Sequence, residues 1–479
     1  MNFFLLKTNT AIIYVMRTIL WYDLETFGLN PRYDRIAQAA AVRTDMELNI
    51  IGEPILLYAK LTPDYLPNPG ACLVTGITPQ EVNKKGIPEA ELISILRKEM
   101  MVPETITMGY NSIKFDDECI RTTLYRNLYD PYEREYKNKC SRWDLLNLVR
   151  ACKDLRPDGI VFEKKNPVYG TTSFKLTDLT EENNIEQVGA HDALVDVYAT
   201  INLAKLIKTK QPQLWDYAIK HRQKVQISAV INVLERKPFL HTNPLFATEK
   251  GCTRPLLPLF MKDKSPDIYC FDLTREIPEN PVLEDYENSG IVKVSINKCP
   301  FVAPLGTLDK ASEVRLGFTK EEVLRKAKEA VASGVFDKEK LLATLEPFEN
   351  EKLDPDVAIY SSMITDHDKA QLERIRKLSP EAKLKSGEHL FDDDKYHKLL
   401  WRFVARNYPK SMSKEDLAKW KNFCALRLLN PPVQEALSLD KYQRTVEELL
   451  NSLETTGEQK KILLQLKEYG ELLESRVLK

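Results

Sequence analysis

The stretch ILWYDLETFG, Ile19 to Gly28, closes an apolar run with two carboxylates, Asp23 and Glu25. Residues two apart on a strand project from the same face, so these acids stand side by side while Tyr22 and Leu24 face the other way. Neighbouring carboxylates repel, and burying an unpaired charge is costly. A divalent cation between them relieves both penalties, and hard oxygen ligands favour Mg²⁺ or Mn²⁺. Taken alone, such a pair is more often a strand surfacing with two solvated acids.

More acids change that balance. GYNSIKFDDE sets Asp116 and Asp117 at the entry to a helix just after a strand, and GAHDALVD adds His191 and Asp196 at another helix start. Strand ends of α/β sheets commonly build sites. Asp192, and one of Asp116 and Asp117, read more simply as carboxylates facing a helix N-terminus; the residues leave open which of the two it is. Three acidic segments plus a histidine suit phosphodiester cleavage. Two ions about 3.5–4 Å apart can bind the phosphate and activate a water. A histidine with an ordinary pKa near 6.5 can take that water's proton, a role worth about 10²–10⁴ in rate.

Arg121, Tyr125, Arg126, Tyr129, Tyr132, Arg134 and Tyr136 interleave rings with guanidinium groups, a pattern that stacks bases and holds phosphates of a single strand. Tyr125 and Tyr129 read better as the core face of an amphipathic helix. Six basic residues between Lys205 and Lys224 meet one acid, Asp216, a local patch on a chain of net charge -1 that DNA or an acidic peptide could use.

The elements that must position these groups follow from pattern. A chain of 479 residues calls for two or three domains. With 43% hydrophobic and 29% charged residues, it is not a mostly disordered chain. TILWYDLE, IAQAAAVRT and IIGEPILLYAKL read as a three-strand meander. TPQE starts a helix, with Thr78 as N-cap, Pro79 at the first position and Glu81 closing a capping box. ELISILRKEM is a helix, TITMGYN a strand, and a helix enters near Phe115. SRWDLLNLVRACKDL and HDALVDVYATINLAKLIK are further helices. The result is an α/β domain with a mixed sheet.

After Gln211 prolines and short strands such as IVKVSIN mark a small β-rich domain. LEPFENEKLDPD, Leu345 to Asp356, reads as a linker. Beyond it the chain is helical, with stripes at Val446, Leu449, Leu450 and Leu453 and at Leu463, Leu466, Leu472 and Leu473. Eight cysteines without a CxxC pair indicate reduced thiols of a cytoplasmic protein, with neither zinc nor disulfides expected. The apolar N-terminus lacks a small-residue cleavage site and reads as an extension before Thr18, with Met16 an alternative start. No other segment reaches transmembrane length, so no membrane role is expected.

The D-x-E strand, the GYN…FDDE segment and the AHDALVD helix together resemble the DEDDh family of 3′ to 5′ exonucleases, which share a ribonuclease-H-like fold. The resemblance implies metal-binding carboxylates at Asp23, Glu25, Asp116 and Asp196, a general base at His191, and two Mg²⁺ ions for which Mn²⁺ may substitute. GEPILLYAKLTPDYLPNPGACLVTGITPQE, YRNLYDPYEREY, SRWDLL, LRPDGI, INKCP and RNYP are similar to the exonuclease I branch, which degrades single-stranded DNA. That similarity implies an exonuclease domain over 1–206, an SH3-like β-barrel domain over 207–355 and an all-helical domain over 356–479. It implies substrate contacts from Glu25, Lys175, Arg121, Tyr132, Tyr136, Arg150 and Lys298. It also implies a monomer that binds the acidic C-terminal tail of single-stranded DNA-binding protein through Arg156, Tyr217, Lys237 and Arg315, and that acts in DNA repair and recombination. Two other readings are an RNA-trimming exonuclease of the same family, whose small members lack the added domains, and a non-catalytic single-strand-binding adaptor, which the five intact catalytic positions oppose.

Overall fold

The computed structural model describes residues 4–8, 11–187, 192–345, 353–386 and 389–477. A hairpin of β1 (Phe4–Thr8) and β2 (Ala11–Val15) precedes β3 (Thr18–Thr26), β4 (Ile36–Thr44) and β5 (Ile55–Tyr58). Helices α1 (Pro69–Thr75), α2 (Pro79–Lys85) and α3 (Glu89–Met100) lead to β6 (Thr105–Gly109), α4 (Asp116–Arg126), β7 (Ser141–Asp144) and α5 (Leu145–Leu155). Then come α6 (Leu176–Glu182), α7 (Ala193–Lys210), α8 (Pro212–Lys220) and α9 (Lys224–Val230).

In the first sheet the order is β5-β4-β3-β6-β7. The meander β3-β4-β5 is antiparallel, and β6 and β7 run parallel to β3, so the sheet is mixed. Strand alternation sends Ile19 and Trp21 to a core shared with α5 and α7, while Leu20, Tyr22 and Leu24 pack with α3 and α4.

The middle of the chain forms a second five-stranded sheet from β8 (Phe239–Thr242), β9 (Thr253–Met261), β10 (Asp267–Asp272), β11 (Ile291–Ser295) and β12 (Phe301–Pro304), ordered β11-β10-β9-β8-β12, with the short helix α10 (Tyr286–Ser289) between β10 and β11. One face buries Val292, Val294 and Ile296, while the other joins the core of the first domain through Leu257, Tyr269 and Phe271. The rest is helical: α11 (Lys310–Leu316), α12 (Lys320–Ser333), α13 (Lys338–Leu342), α14 (Asp366–Arg376), α15 (Pro380–Leu384), α16 (Asp394–Asn407), α17 (Lys414–Leu429), α18 (Leu439–Asn451) and α19 (Gly457–Val477). Leu399, Tyr442, Leu463 and Leu466 pack on Tyr65, Cys72 and Val82 of the first domain.

Several sequence expectations change here. SRWD is strand β7 rather than the start of a helix; its backbone pairs with β6, and the helix begins only where Asp144 caps it by accepting from the Leu146 amide. Thr78 caps α2 as expected, but Glu81 pairs with Lys85 at 2.7 Å. Leu453 lies beyond α18 and is exposed, outside the stripe. Arg222 is buried against Ser141 and leaves the basic patch. No helix among the described residues is long and apolar enough to cross a membrane, and all eight cysteines are buried and free.

Residues 346–352 of the expected linker lie outside the described residues, and its last residues are held in an ionic weld. Asp356, 2% exposed, accepts from Arg402 at 2.9 Å and from Arg406 at 2.7 Å, with Arg427 at 3.0 Å. Arg406 also grips fully buried Asp64 of the first domain at 2.7 Å, and Asp354 pairs with Arg402 and Arg427. Burial pushes the Asp64 and Asp356 carboxyls up, but Arg406, Arg427 and their neighbours hold both well below the usual range. Replacing Asp356 by Ala leaves buried guanidinium groups uncompensated, an expected loss of about 3–5 kcal/mol in denaturant titration. Because the folded carboxyls are depressed, their stabilisation is complete above the ordinary value of about 4 and is lost as pH falls below it. The thermal midpoint of the unaltered protein is therefore expected to drop on acidification from about pH 5 to pH 3, with a smaller drop for Asp356→Ala.

Candidate active site and nucleic-acid groove

Asp23 and Glu25 stand on the central strand β3, opposite Ala40 and Gln38 of β4. Asp196 comes from the first turn of α7, and carboxylate oxygens of these three residues all lie within 4.8 Å of one another. Gln38 sets that approach: its Oε1 accepts the Ala193 amide at 3.0 Å, tying the start of α7 to the strand carrying the acids. Asp192 caps the helix, as the simpler reading of that residue had it. Gln187 donates to Asp196 Oδ1 at 2.6 Å.

The geometry separates Asp116 from Asp117. Asp116, buried, accepts the Leu24 amide at 3.2 Å, between the two strand acids. Asp117 turns to the opposite side of the sheet, where it accepts from Tyr22 and Arg134 at 2.5 Å and from Arg142 at 2.7 Å. The turn leading to them is tight: Asn111 is left-handed with φ 60°, its amide donating to Asp144 at 2.9 Å. A Cβ on Gly109 would come within 2.8 Å of the Tyr22 carbonyl, so the strand end needs glycine.

Charge follows partnering. Burial raises the Asp117 carboxyl, but Arg134 and Arg142 outweigh it and hold the group below the usual carboxylate range. On the other face burial pushes Glu25 up to about 8, helped by the charges of Asp196 and Asp116. Burial also raises Asp116 to about 8, with Asp117 and Asp144 adding repulsion, and Asp23 rises through burial and Asp116. Among the described residues no lysine or arginine forms an ion pair with Asp23, Glu25 or Asp116. Uncompensated oxygen donors crowded at one strand end are the donor set a hard divalent cation requires, so these residues fit a metal. His191 lies outside the described residues.

Asp23 and Asp196 open into a cleft of about 860 Å³ that also holds Lys175 and Arg150. A second cleft of about 900 Å³, lined by Arg121, Tyr132, Lys298 and Tyr360, shares Asn111, Arg150 and Pro244 with the first. A third, holding exposed Tyr136, shares Glu135 and Asn297 with the second. Of the six expected cationic and aromatic contacts, Lys175 and Arg150 thus line the first cleft, Arg150, Arg121, Tyr132 and Lys298 the second, and Tyr136 the third. Arg121 is committed within the wall, paired with Glu118 at 2.6 Å and Glu135 at 2.7 Å. Tyr125 is buried as expected, its hydroxyl donating to the Pro355 carbonyl.

Of the expected tail-binding residues, Arg156 and Arg315 come together at the end of α5. Arg315 donates to the Asp154 carbonyl at 2.6 Å, and Arg156 pairs with Asp309 at 3.1 Å. Tyr217 donates to the Val302 carbonyl and stacks on His221, and Lys237 pairs with Glu235. The sequence reading missed Gln38 and the Arg134–Asp117–Arg142 clamp. A lone glutamine in an alanine-rich buried strand was the available signal for the first.

A mixed sheet carrying an acidic cluster at the end of its central strand, beside a cationic groove, defines a nuclease of ribonuclease-H-like fold. Family models match on the same lines: Exonuclease over residues 20–204, Exonuclease I SH3-like domain over 222–344 and Exonuclease I C-terminal domain over 353–473. The chain belongs to the exonuclease I family. It is 39% identical over 425 residues to exodeoxyribonuclease I of Escherichia coli, covering 84% of this chain and 88% of that one. To the enzyme of the same name from Haemophilus influenzae it is 37% identical over 478 residues, 94% and 97% of the two chains. The crystal structure of E. coli exonuclease I with a dA16 oligonucleotide superposes with a TM-score of 0.88 at 36% identity, covering 96% of this chain and all of the other. The E. coli protein is also known in a zinc-bound complex with single-stranded DNA, at TM-score 0.87, 35% identity and 96% and 100% coverage. An SSB/exonuclease I structure matches at TM-score 0.86, 36% identity and the same coverage.

The raised carboxyls fix a pH dependence. Acids raised to about 8 keep protons in the folded state that the unfolded chain releases near pH 4. Stability of the metal-free protein is therefore expected to fall between about pH 4 and pH 8. In calorimetry at pH 8 with EDTA, Asp23→Asn is expected to raise the thermal midpoint, and added Mg²⁺ or Mn²⁺ to raise it in the unaltered protein much more than in the variant. Apparent metal affinity should climb through pH 8 as protons leave the cluster.

Proposed function

We propose that this chain hydrolyses single-stranded DNA from its 3′ end and releases 5′-mononucleotides, in DNA repair and recombination. The carrying observation is the convergence of Asp23, Glu25, Asp116 and Asp196 at one end of a groove lined by Arg150, Lys175, Lys298 and Tyr132. The single-stranded DNA bound by E. coli exonuclease I in its crystal structure supports the same substrate here. We take 1–206, 207–355 and 356–479 as the domains, in keeping with family matches that break near those positions.

The four carboxylates hold two Mg²⁺ ions, for which Mn²⁺ substitutes, and the bound ions supply phosphate charge neutralisation and water activation. Glu25 serves both metal and substrate. Lys175 lies in the acidic cleft itself and holds the terminal nucleotide. Arg150, leaning 5.6 Å over the Phe174 ring, meets phosphates where the two clefts join. Tyr132 and Tyr136 offer ring faces to successive bases, Arg121 stiffens the wall behind Tyr132, and Lys298 faces the backbone from the second domain. His191 takes the proton of the attacking water, and Gln38 acts as a positioning residue for α7.

Arg156, Tyr217, Lys237 and Arg315 form the docking place for the acidic tail of single-stranded DNA-binding protein, a reading supported by the SSB complex of exonuclease I. The buried free thiols suit a monomer working in a reducing cytoplasm.

Labelled DNA and RNA oligonucleotides are expected to separate the readings: with Mg²⁺ the protein shortens single-stranded DNA from the 3′ end and leaves RNA, while Asp23→Ala degrades neither. Equal activity in Asp23→Ala would sink the site, and preferential loss of RNA would favour an RNA trimmer. His191→Ala is expected to lose about 10²–10⁴ in kcat with DNA affinity retained. For the partner, Arg156→Ala should weaken an acidic C-terminal peptide about tenfold, roughly 1.4 kcal/mol, while cleavage of free DNA is unchanged.

A further inference from the structure

Far along the chain from the acidic cluster, the start of α14 and the loop before α16 bring together His367, Asp368 and Asp392, whose ligand atoms all lie within 4.8 Å of one another. Asp368 is 1% exposed. Its Oδ1 accepts the Asp392 amide at 2.7 Å, but Oδ2 is enclosed and has no hydrogen-bond partner among the described residues. An orphaned buried carboxylate oxygen calls for a counter-charge. The lysines nearby serve other acids: Lys369 pairs with Asp130 and Asp366, and Lys395 with Asp393.

The other two groups are each held by a hydrogen bond of their own beside it. His367 Nε2 lies 3.2 Å from the Leu390 carbonyl oxygen, a bond that keeps the proton on Nε2 and leaves the Nδ1 lone pair available. Thr365 Oγ1 donates to Asp392 Oδ2 at 2.9 Å and fixes that carboxylate. His367 and Asp392 are exposed, giving an ion a path from solvent and room for waters to complete its shell.

We propose that His367, Asp368 and Asp392 bind a divalent first-row transition ion, separate from the ions of the groove. One imidazole with two carboxylates suits zinc, cobalt or manganese and is a poor set for magnesium. The cysteines take no part, so a search by cysteine spacing finds nothing. The ion pins the first turn of α14 to the loop before α16, a junction that Ser362 already ties to Asp393 at 2.5 Å and to Lys395 at 2.6 Å. Two residues upstream, Tyr360 bonds Glu118 and lines the second cleft, so the ion steadies a segment that contributes to its wall.

Zn²⁺ is titrated calorimetrically into the full-length Asp23→Ala protein in excess Mg²⁺, which occupies what remains of the groove cluster. One equivalent is expected to bind, with affinity about tenfold or more weaker when His367→Ala or Asp392→Asn is added. Co²⁺ is expected to give a visible ligand-field spectrum in Asp23→Ala that both added substitutions remove. Both residues are exposed, so the variants should fold, and circular dichroism checks this. Absence of saturable Zn²⁺ binding in Asp23→Ala, or equal affinity in the added variants, overturns the site.

Discussion

Four carboxylates meet at one end of a sheet, and their mutual repulsion is the constraint the surrounding structure exists to withstand. Burial and like charge both disfavour ionisation there, so Glu25 and Asp116 move up to about 8. Such an arrangement persists only where the backbone leaves the side chains no escape. Asp23 and Glu25 sit on the central strand, paired with β4 just past the last β6 partner at Trp21. Asp116 is held by the Leu24 amide and Asp196 by a helix whose first turn is anchored on Gln38. The crowding leaves these carboxyls without a protein counter-charge, the setting in which a cation is bound most favourably.

Elsewhere the chain treats buried acids in the opposite way. Asp117, adjacent to Asp116, receives two arginines and a tyrosine. Asp64 and Asp356 share Arg406, with Arg427 and Arg402 closing the network. Glu89 is gripped by Arg126 and Asn127. These acids are stable because each is matched, and removal of a partner is costlier than the pair is stabilising. Against that background an unmatched carboxylate marks a place where a charge is brought from outside.

The strand acids were legible because a period of two is a local rule: Asp23 and Glu25 share a face whatever the rest of the chain does. Asp116 and Asp117 were not separable, since consecutive helix residues point about 100° apart and the deciding partners, Arg134 and Arg142, lie 17 and 25 residues away. The ion pairs that bury Asp354 and Asp356 span 73 and 46 residues, so the acidic end of that stretch carried no local sign of its partners. SRWD merges with the following helix in sequence because four residues carry little pattern of their own, and only pairing with β6 makes them a strand. The three textures were legible because composition and period change with them; the weld between the first and third was invisible for the same non-local reason.

That weld bears on the groove. Tyr360, four residues past Asp356, bonds Glu118, stacks under Arg32 and lines the cleft beside Arg121. The third domain therefore forms one wall, and its position relative to the acidic cluster is set by the arginines that lock Asp356 to Asp64. Arg121 and Arg142 spend their charge on Glu118, Glu135 and Asp117 and so build rigid walls. On the proposed reading, Arg150, Lys175 and Lys298 meet the phosphates. On the same reading the rings stack on any base and the groove holds a strand by shape and backbone charge, its end at the carboxylates, without reading sequence.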